Sequence, residues 1–165
     1  MDTSERAEPD RIRPVEVLPV GRVTGGRTTV TDDDWGPVTA VIRLDGSRFG
    51  PEALYGLADF SHLEVVYHFD RVDERKVETG ARHPRGNPDW PLTGVFAQRA
   101  KNRPNRLGVS RCRLLSVDGL DIEVAGLDAV DGTPVLDIKP YMAEFGPRGE
   151  VVQPPWSVEL MRSYY

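Results

Sequence analysis

Three histidines, one cysteine and a cationic run are the groups in this sequence from which chemistry would be built. His62 and His68 lie six residues apart in HLEVVYHF, so on a strand they share one face with Glu64 and Asp70. A metal site in a β-barrel normally takes two histidines one residue apart, and no His-x-His occurs, so no metal is expected. Ser110 lacks the G-x-S-x-G turn that exposes a nucleophilic serine. Neither a P-loop nor a G-x-G-x-x-G phosphate loop is present. Cys112, set between Arg111 and Arg113, reads either as an activated thiolate or as a buried structural cysteine, and the second is the expectation.

The charge distribution is more informative. Arg99, Lys101, Arg103, Arg106, Arg111 and Arg113 follow one another with no acid between them, a local +6. The whole chain carries −5, so the remainder carries −11. A cationic strip on an acidic body points to a local anion site and not to a general nucleic-acid coat. Three neighbouring stretches, GVFAQR (94–99), RPNRLG (103–108) and GLDAVDGTPVLDIKPY (126–141), hold more Pro, Asn, Asp and Gly than strands require. Rigid turns bearing Arg, Asn, Asp, Lys and Tyr are how a barrel rim presents polar groups, and they imply a polar ligand with an anionic part.

The elements that must position these groups are short. The chain of 165 residues is 39% hydrophobic and 28% charged, an ordinary globular balance, with 16 Gly and 14 Pro scattered without period. That punctuation argues against a helical bundle. The longest apolar runs are three residues, far short of the ~20 of a membrane helix, and no signal-peptide core precedes the first charges. A cytoplasmic protein is expected. Residues 1–13 read as a flexible polar tail and 14–165 as a single domain.

Val15, Val17, Val20 and Val23 imply an irregular first strand, and Ala40, Ile42 and Leu44 alternate as a second. Residues 51–57 fit one or two helical turns, and 62–69 a buried strand. Apolar alternation on both sides of Asp118-Gly119 is a hairpin signal, with a strand over 107–117 before it, and 135–139 forms one more strand. The stretch 79–94 has too many prolines and glycines for a regular element and reads as an ordered functional loop around His83 and Trp90. Six to eight strands at hairpin spacing, with little helix, give a mainly β protein, a barrel or a sandwich.

The run FAQR…RPNRLGVS…GLDAVDGTPVLDIKPY, with PVG near the start and GLADFSHLEVV before the long loop, resembles the TsaA/TrmO-like family over residues 15–145. The resemblance implies a small β-barrel and a methyltransferase that uses S-adenosyl-L-methionine (SAM), of the class that N6-methylates threonylcarbamoyladenosine beside the tRNA anticodon. It also implies a homodimer with the cofactor pocket near the subunit interface. Carried over by position, the pocket would comprise Asp34, Trp35 and Gly36; Asp70 and Arg71; Arg99; Val109; and Asp128, Ala129, Val130 and Asp131. Asp137, Lys139 and Tyr141 of DIKPY are the expected catalytic group. Arg103, Asn105, Arg106, His83 and Trp90 are the expected substrate contacts.

Arg106 stands where the family has a second proline, and the 79–94 stretch is longer than in the bacterial tRNA enzymes. These departures keep two alternatives open: a small amino-acid-like or natural-product methyl acceptor, and a SAM- or nucleotide-binding barrel without turnover.

Overall fold

A computed structural model describes residues 12–165, so nearly all of the expected tail lies outside the described residues. Six antiparallel strands close a barrel. In chain order the eight strands are β1 (Gly21–Thr24), β2 (Thr39–Leu44), β3 (His62–His68), β4 (Ala81–Arg82), β5 (Thr93–Gly94), β6 (Leu107–Asp118), β7 (Asp121–Ala125) and β8 (Pro134–Pro140). The barrel order is β1-β2-β7-β6-β3-β8, closed by β1 against β8, with β4 and β5 as a separate two-stranded ribbon. Several 3₁₀ turns and one six-residue helix, α1 (Pro155–Leu160), complete the fold.

Alternation builds the core. Val23, Ile42, Leu63, Val65, Ile122, Val124 and Val135 are fully buried, while their strand neighbours point outward. Each such side chain is worth roughly 1.5–3 kcal/mol on burial. Cys112 belongs to this core, and burial pushes its thiol up to about 12. It is therefore a neutral, packed side chain and not a nucleophile.

The first strand is shorter than the valine pattern implies. Only Gly21–Thr24 forms the strand, and Gly21 lets it approach β2 closely, since a Cβ there would stand 2.4 Å from the Arg43 carbonyl oxygen. Backbone contact at that point excludes any side chain. The 79–94 stretch also departs from expectation, since Ala81–Arg82 pairs with Thr93–Gly94 and gives the loop a stem.

Two features of β3 and β6 matter for the site. First, β6 changes partners along its length. Residues 107–113 pair with β3 and 113–118 with β7, with a register shift between Leu114 and Ser116. Among the described residues, the first half of β6 therefore has a strand on one side only. Second, Tyr67 of β3 points inward, 1% exposed, its ring edge-on to Phe69 at 5.3 Å. Burial, followed by the negative charge of Asp128, raises its hydroxyl well above the ordinary tyrosine range, so it stays a hydrogen-bond donor. The ring lies flat over Gly108, where an added Cβ would stand 2.4 Å from Cε2.

Gly108→Ala is expected to destabilise the fold by about 1–3 kcal/mol through overpacking of that ring. Urea unfolding of the two proteins measures it; equal midpoints would show that Tyr67 can move aside without cost.

Candidate functional site

The unpaired half of β6 is the floor of a small site. With no neighbouring strand, the Val109 carbonyl accepts Arg99 Nη2 at 2.7 Å. Arg99, Val109, Ser110, Arg111 and Tyr165 surround a cavity of about 240 Å³ there. Ser110 is 3% exposed, and its buried hydroxyl has no partner other than the Tyr165 side chain beside it. A larger groove of about 460 Å³ lies elsewhere, lined by Phe49, Leu54, Leu57, Phe60 and Ile138 with Asp137 as its one charged group. It offers no cation to an anionic ligand.

Asp128 anchors the segment that borders the cavity. Its Oδ1 and its carbonyl oxygen both accept from the Tyr67 hydroxyl, at 2.9 and 3.1 Å, and its Oδ2 accepts from the Tyr164 hydroxyl. Burial and then the Asp128 charge raise Tyr164 as they raise Tyr67, so both phenols remain donors. Ala129 beside it is buried, and the Val130 carbonyl accepts from the Thr133 hydroxyl at 2.7 Å, which fixes the turn before β8. Asp131 accepts from Gly25 N–H at 2.9 Å, and its own N–H bonds Arg27 O.

The loop Asp34–Gly36 reaches the same place. Asp34, at φ 62°, and Trp35 donate their backbone N–H groups to Ser163 O and Tyr164 O, each at 2.8 Å. Arg27 braces this loop, bonding Asp33 O at 2.5 Å and Asp34 O while its guanidinium lies 4.5 Å over the Trp35 ring. Trp35 is buried and offers a ligand its backbone only. Arg71 bonds Thr28 O at 2.7 Å and Asp131 O at 3.1 Å, tying the end of β3 to this cluster, with Asp70 exposed beside it.

The Ser163–Tyr165 segment thus links Asp34–Gly36 and Asp128 to the cavity of Arg99 and Val109, with Arg71 and Asp131 holding the turn behind Asp128. The DIKPY residues lie elsewhere on the outer wall. Lys139 pairs with Asp137 at 2.9 Å, and the hydrogen bond and charge of Asp137 raise the lysine. Val109 and Asp137 both face Val66 across β3, and Arg111 and Lys139 both face Glu64. The pair therefore lies two strands from the cavity floor, about 10 Å at ordinary strand spacing. Arg111 connects the two groups, bonded to Glu64 at 3.0 Å and stacked 5.1 Å over the Tyr141 ring.

The substrate candidates have mostly local partners. Arg103 donates to Gln98 O at 2.7 Å, and Arg106 to Val72 O at 2.7 Å and Glu74 at 2.9 Å. Asn105 and Arg106 both take positive φ, so these residues shape a turn. His83 Nδ1 bonds Trp90 O at 2.6 Å, which fixes the Nδ1–H tautomer. Trp90 Nε1 donates to Glu159 of α1 at 3.1 Å, and its ring lies 6.4 Å from Trp156. Arg85 of the same loop grips Asp33 with two bonds of 2.8 and 3.2 Å.

Sequence reasoning missed Tyr67, Ser110, Tyr164 and Tyr165 as parts of a site. Tyr67 reads as one more aromatic in a buried strand. The only signal for it is Gly108, whose missing side chain makes room for the ring. Tyr164 and Tyr165 lie beyond the motifs.

Comparison with known proteins identifies the family and the fold. Residues 35–146 match the family model of the tRNA-methyltransferase O N-terminal domain. The tRNA (adenine(37)-N6)-methyltransferase of Homo sapiens is 38% identical over 117 residues, covering 70% of this chain and 26% of the relative. That of Escherichia coli is 41% identical over 55% of this chain and 40% of its own length. A probable S-adenosyl-L-methionine-binding protein of Pyrococcus abyssi is 40% identical over 61% of this chain and 52% of its own. The crystal structure of TrmO from P. aeruginosa superposes with a TM-score of 0.70 at 27% identity, over 90% of this chain and 64% of that one. The chain thus spans between a quarter and about half of these three curated relatives. With the matching family model covering most of the barrel and the rim loops that form the cavity, this chain belongs to the family of the tRNA-methyltransferase O N-terminal domain.

Proposed function

We propose that this chain is a SAM-dependent methyltransferase that modifies N6 of an adenosine in tRNA, acting in the cytoplasm as a homodimer. The observation that supports the reading is the cavity of Arg99, Val109 and Tyr165 at the unpaired edge of β6, to which Asp34–Gly36 and Asp128 are joined through the Ser163–Tyr165 segment. The donor set fits SAM. Arg99 uses one of its five N–H donors on Val109 O and has others for a carboxylate. Asp128 supplies an oriented carboxylate for an amine or ribose hydroxyl, and Ser110 has a buried hydroxyl with no partner other than Tyr165.

When bound, the sulfonium supplies a methyl group already activated for transfer. The chain's own task is then alignment of donor and acceptor. The acceptor nitrogen of threonylcarbamoyladenosine belongs to a urea-like linkage and needs its carbonyl polarised or its proton removed. Lys139 is held protonated by Asp137, so in this reading it polarises and Asp137 takes the proton. Tyr141, beneath Arg111, would border the acceptor between these two and the cavity.

The turn around Arg103, Asn105 and Arg106, with His83 and Trp90, would support the acceptor from the side. Arg99, Arg111 and Arg113 are exposed on the cavity side of β6 and are the cations best placed for phosphates. Leu107 and Val109, 40% and 41% exposed on that outer face, are the apolar surface proposed for the dimer contact.

Calorimetric titration with SAM is expected to give a saturable heat that Arg99→Ala weakens at least tenfold; no heat with the intact protein would overturn the reading. Incubation with radiolabelled SAM should label tRNA carrying threonylcarbamoyladenosine and not tRNA lacking it. Activity should fall steeply with salt, and Arg113→Ala should reduce the slope by about one. Label confined to a metabolite extract and indifferent to salt would replace tRNA with a small acceptor, and binding without label in either would leave a sensing barrel. Light scattering at micromolar protein is expected to show a dimer; a fully active monomer would refute that part.

A further inference from the structure

The residues after the matched domain enter the site in a way that neither the family motifs nor the relatives' names account for. The segment Ser163–Tyr165 runs along the loop Asp34–Gly36, taking two consecutive backbone hydrogen bonds from it. Gly36 makes this approach possible, since a Cβ there would stand 2.9 Å from the Tyr165 carbonyl carbon. Helix α1 delivers the segment and is held by Trp90 through Glu159 and Trp156. Tyr164 then donates to Asp128, and Tyr165 lies edge-on to Tyr164 at 4.9 Å and 80° and borders the cavity.

We propose that Tyr165 is the aromatic wall of the cofactor pocket, in contact with the nucleoside base, and that Tyr164 is a positioning residue that aims the Asp128 carboxylate at the ligand. The proposal rests on the reading that this pocket takes SAM.

Three observations favour a wall over a plug that would merely occupy the site. Tyr165 is 61% exposed, so it borders the cavity without sealing it. The Ser110 hydroxyl beside it is buried with no partner other than Tyr165, so it is available to a ligand that approaches along the ring. Among the cavity residues Tyr165 is the one aromatic, and it stands with two guanidinium groups, Arg99 and Arg111, a valine and that hydroxyl. This combination suits a planar base carried on a polar, anionic tail. The cavity of about 240 Å³ is also smaller than the ~300–1,000 Å³ usual for small-molecule sites, so a nucleoside ligand must extend past the ring and along it.

Asp128 shows the complementary logic. A carboxylate has about four acceptor sites, and Tyr67 and Tyr164 take one on each oxygen. Both phenols stay protonated, so the two remaining sites keep a fixed direction without a competing cation. Removing the Tyr164 hydroxyl would leave the carboxylate tethered on one side only.

The test compares SAM, adenosine and methionine binding by calorimetry in wild type, Tyr165→Ala, Tyr165→Phe, Tyr164→Phe, Asp128→Asn and the double variant of the last two. Stacking of a base on an aromatic side chain corresponds to roughly a fivefold to hundredfold change in affinity. Tyr165→Ala is expected to weaken SAM and adenosine by that factor and methionine by less than twofold, and Tyr165→Phe to restore binding. Tyr164→Phe should weaken SAM about fivefold in the wild type and less than twofold in the Asp128→Asn background, since the pair then has nothing to orient. Unchanged SAM affinity in Tyr165→Ala, with the wild type binding normally, would overturn the wall. Tighter binding in Tyr165→Ala would show a plug and also overturn it. Equal losses from Tyr164→Phe in both backgrounds would reduce Tyr164 to a structural role. Failure of the wild type itself to bind SAM would instead remove the cofactor reading and this inference together.

Discussion

One carboxylate, that of Asp128, connects the barrel core to its rim. It is held on one oxygen by Tyr67, whose ring is buried inside the barrel, and on the other by Tyr164, which arrives from the far end of the chain. Hydrogen bonds to a charged group contribute more than neutral ones, about 1.5–3 kcal/mol each, and leaving such a group unsatisfied costs more than the bond returns. The contact therefore constrains everything that touches it. Gly108 must lack a side chain so that the Tyr67 ring can lie beneath it, and Gly36 must lack one so that Tyr165 can pass. The turn 126–133 must present Asp128 at that height, which it does through Thr133 and through the Asp131 contacts with the 25–27 loop.

The second constraint is the split pairing of β6. An unpaired strand edge normally invites another strand, and proteins cover or charge such edges. Here the edge is occupied by a guanidinium on Val109 O and by the Ser163–Tyr165 segment, neither of which forms a ladder. The barrel is closed in order, so its stability does not depend on filling that edge with backbone. A place where the wall is open on one side, beside a buried hydroxyl and between cations, is where a polar ligand can approach the barrel interior without unfolding it.

Much of the fold was legible because it is local. Alternation located β2, branched and aromatic content located β3, the Asp118-Gly119 signal located the β6–β7 turn, and the DGTPVLDIKPY run led directly to the family. The expectation that Asp34–Gly36, Arg99, Val109 and Asp128 form one cofactor pocket came from family resemblance and not from spacing; in the structure Arg99 and Val109 line the cavity, and the other residues connect to it through Ser163–Tyr165. What the residue pattern did not show depends on long-range bonds. Arg106 appeared as a free cation in a basic strip, yet it bonds a carbonyl 34 residues away. Tyr164 bonds a carboxylate 36 residues away, and a terminal Tyr-Tyr pair carries no periodicity from which to infer it. Hydrogen bonds from side chains to distant groups have no sequence signature until the backbone is placed.

The long 79–94 loop takes on a different meaning once those bonds are known. Its prolines and glycines suggested a loop that meets substrate, with His83 and Trp90 at the front. In the structure His83 closes the loop on Trp90 O, Trp90 turns outward to α1, and Arg85 turns back to Asp33. One loop thus grips both sides of the rim, the Asp33–Gly36 loop and the helix that leads to Tyr164 and Tyr165. Exposed polar contacts of this kind contribute little stability one by one. Their effect here is geometric, because the two segments they hold are the two that meet through the hydrogen bonds to Ser163 O and Tyr164 O. The 79–94 loop and the aromatic segment after the matched domain are therefore two parts of one arrangement, since the loop holds the Asp33–Gly36 side through Arg85 and the Tyr164–Tyr165 side through Trp90.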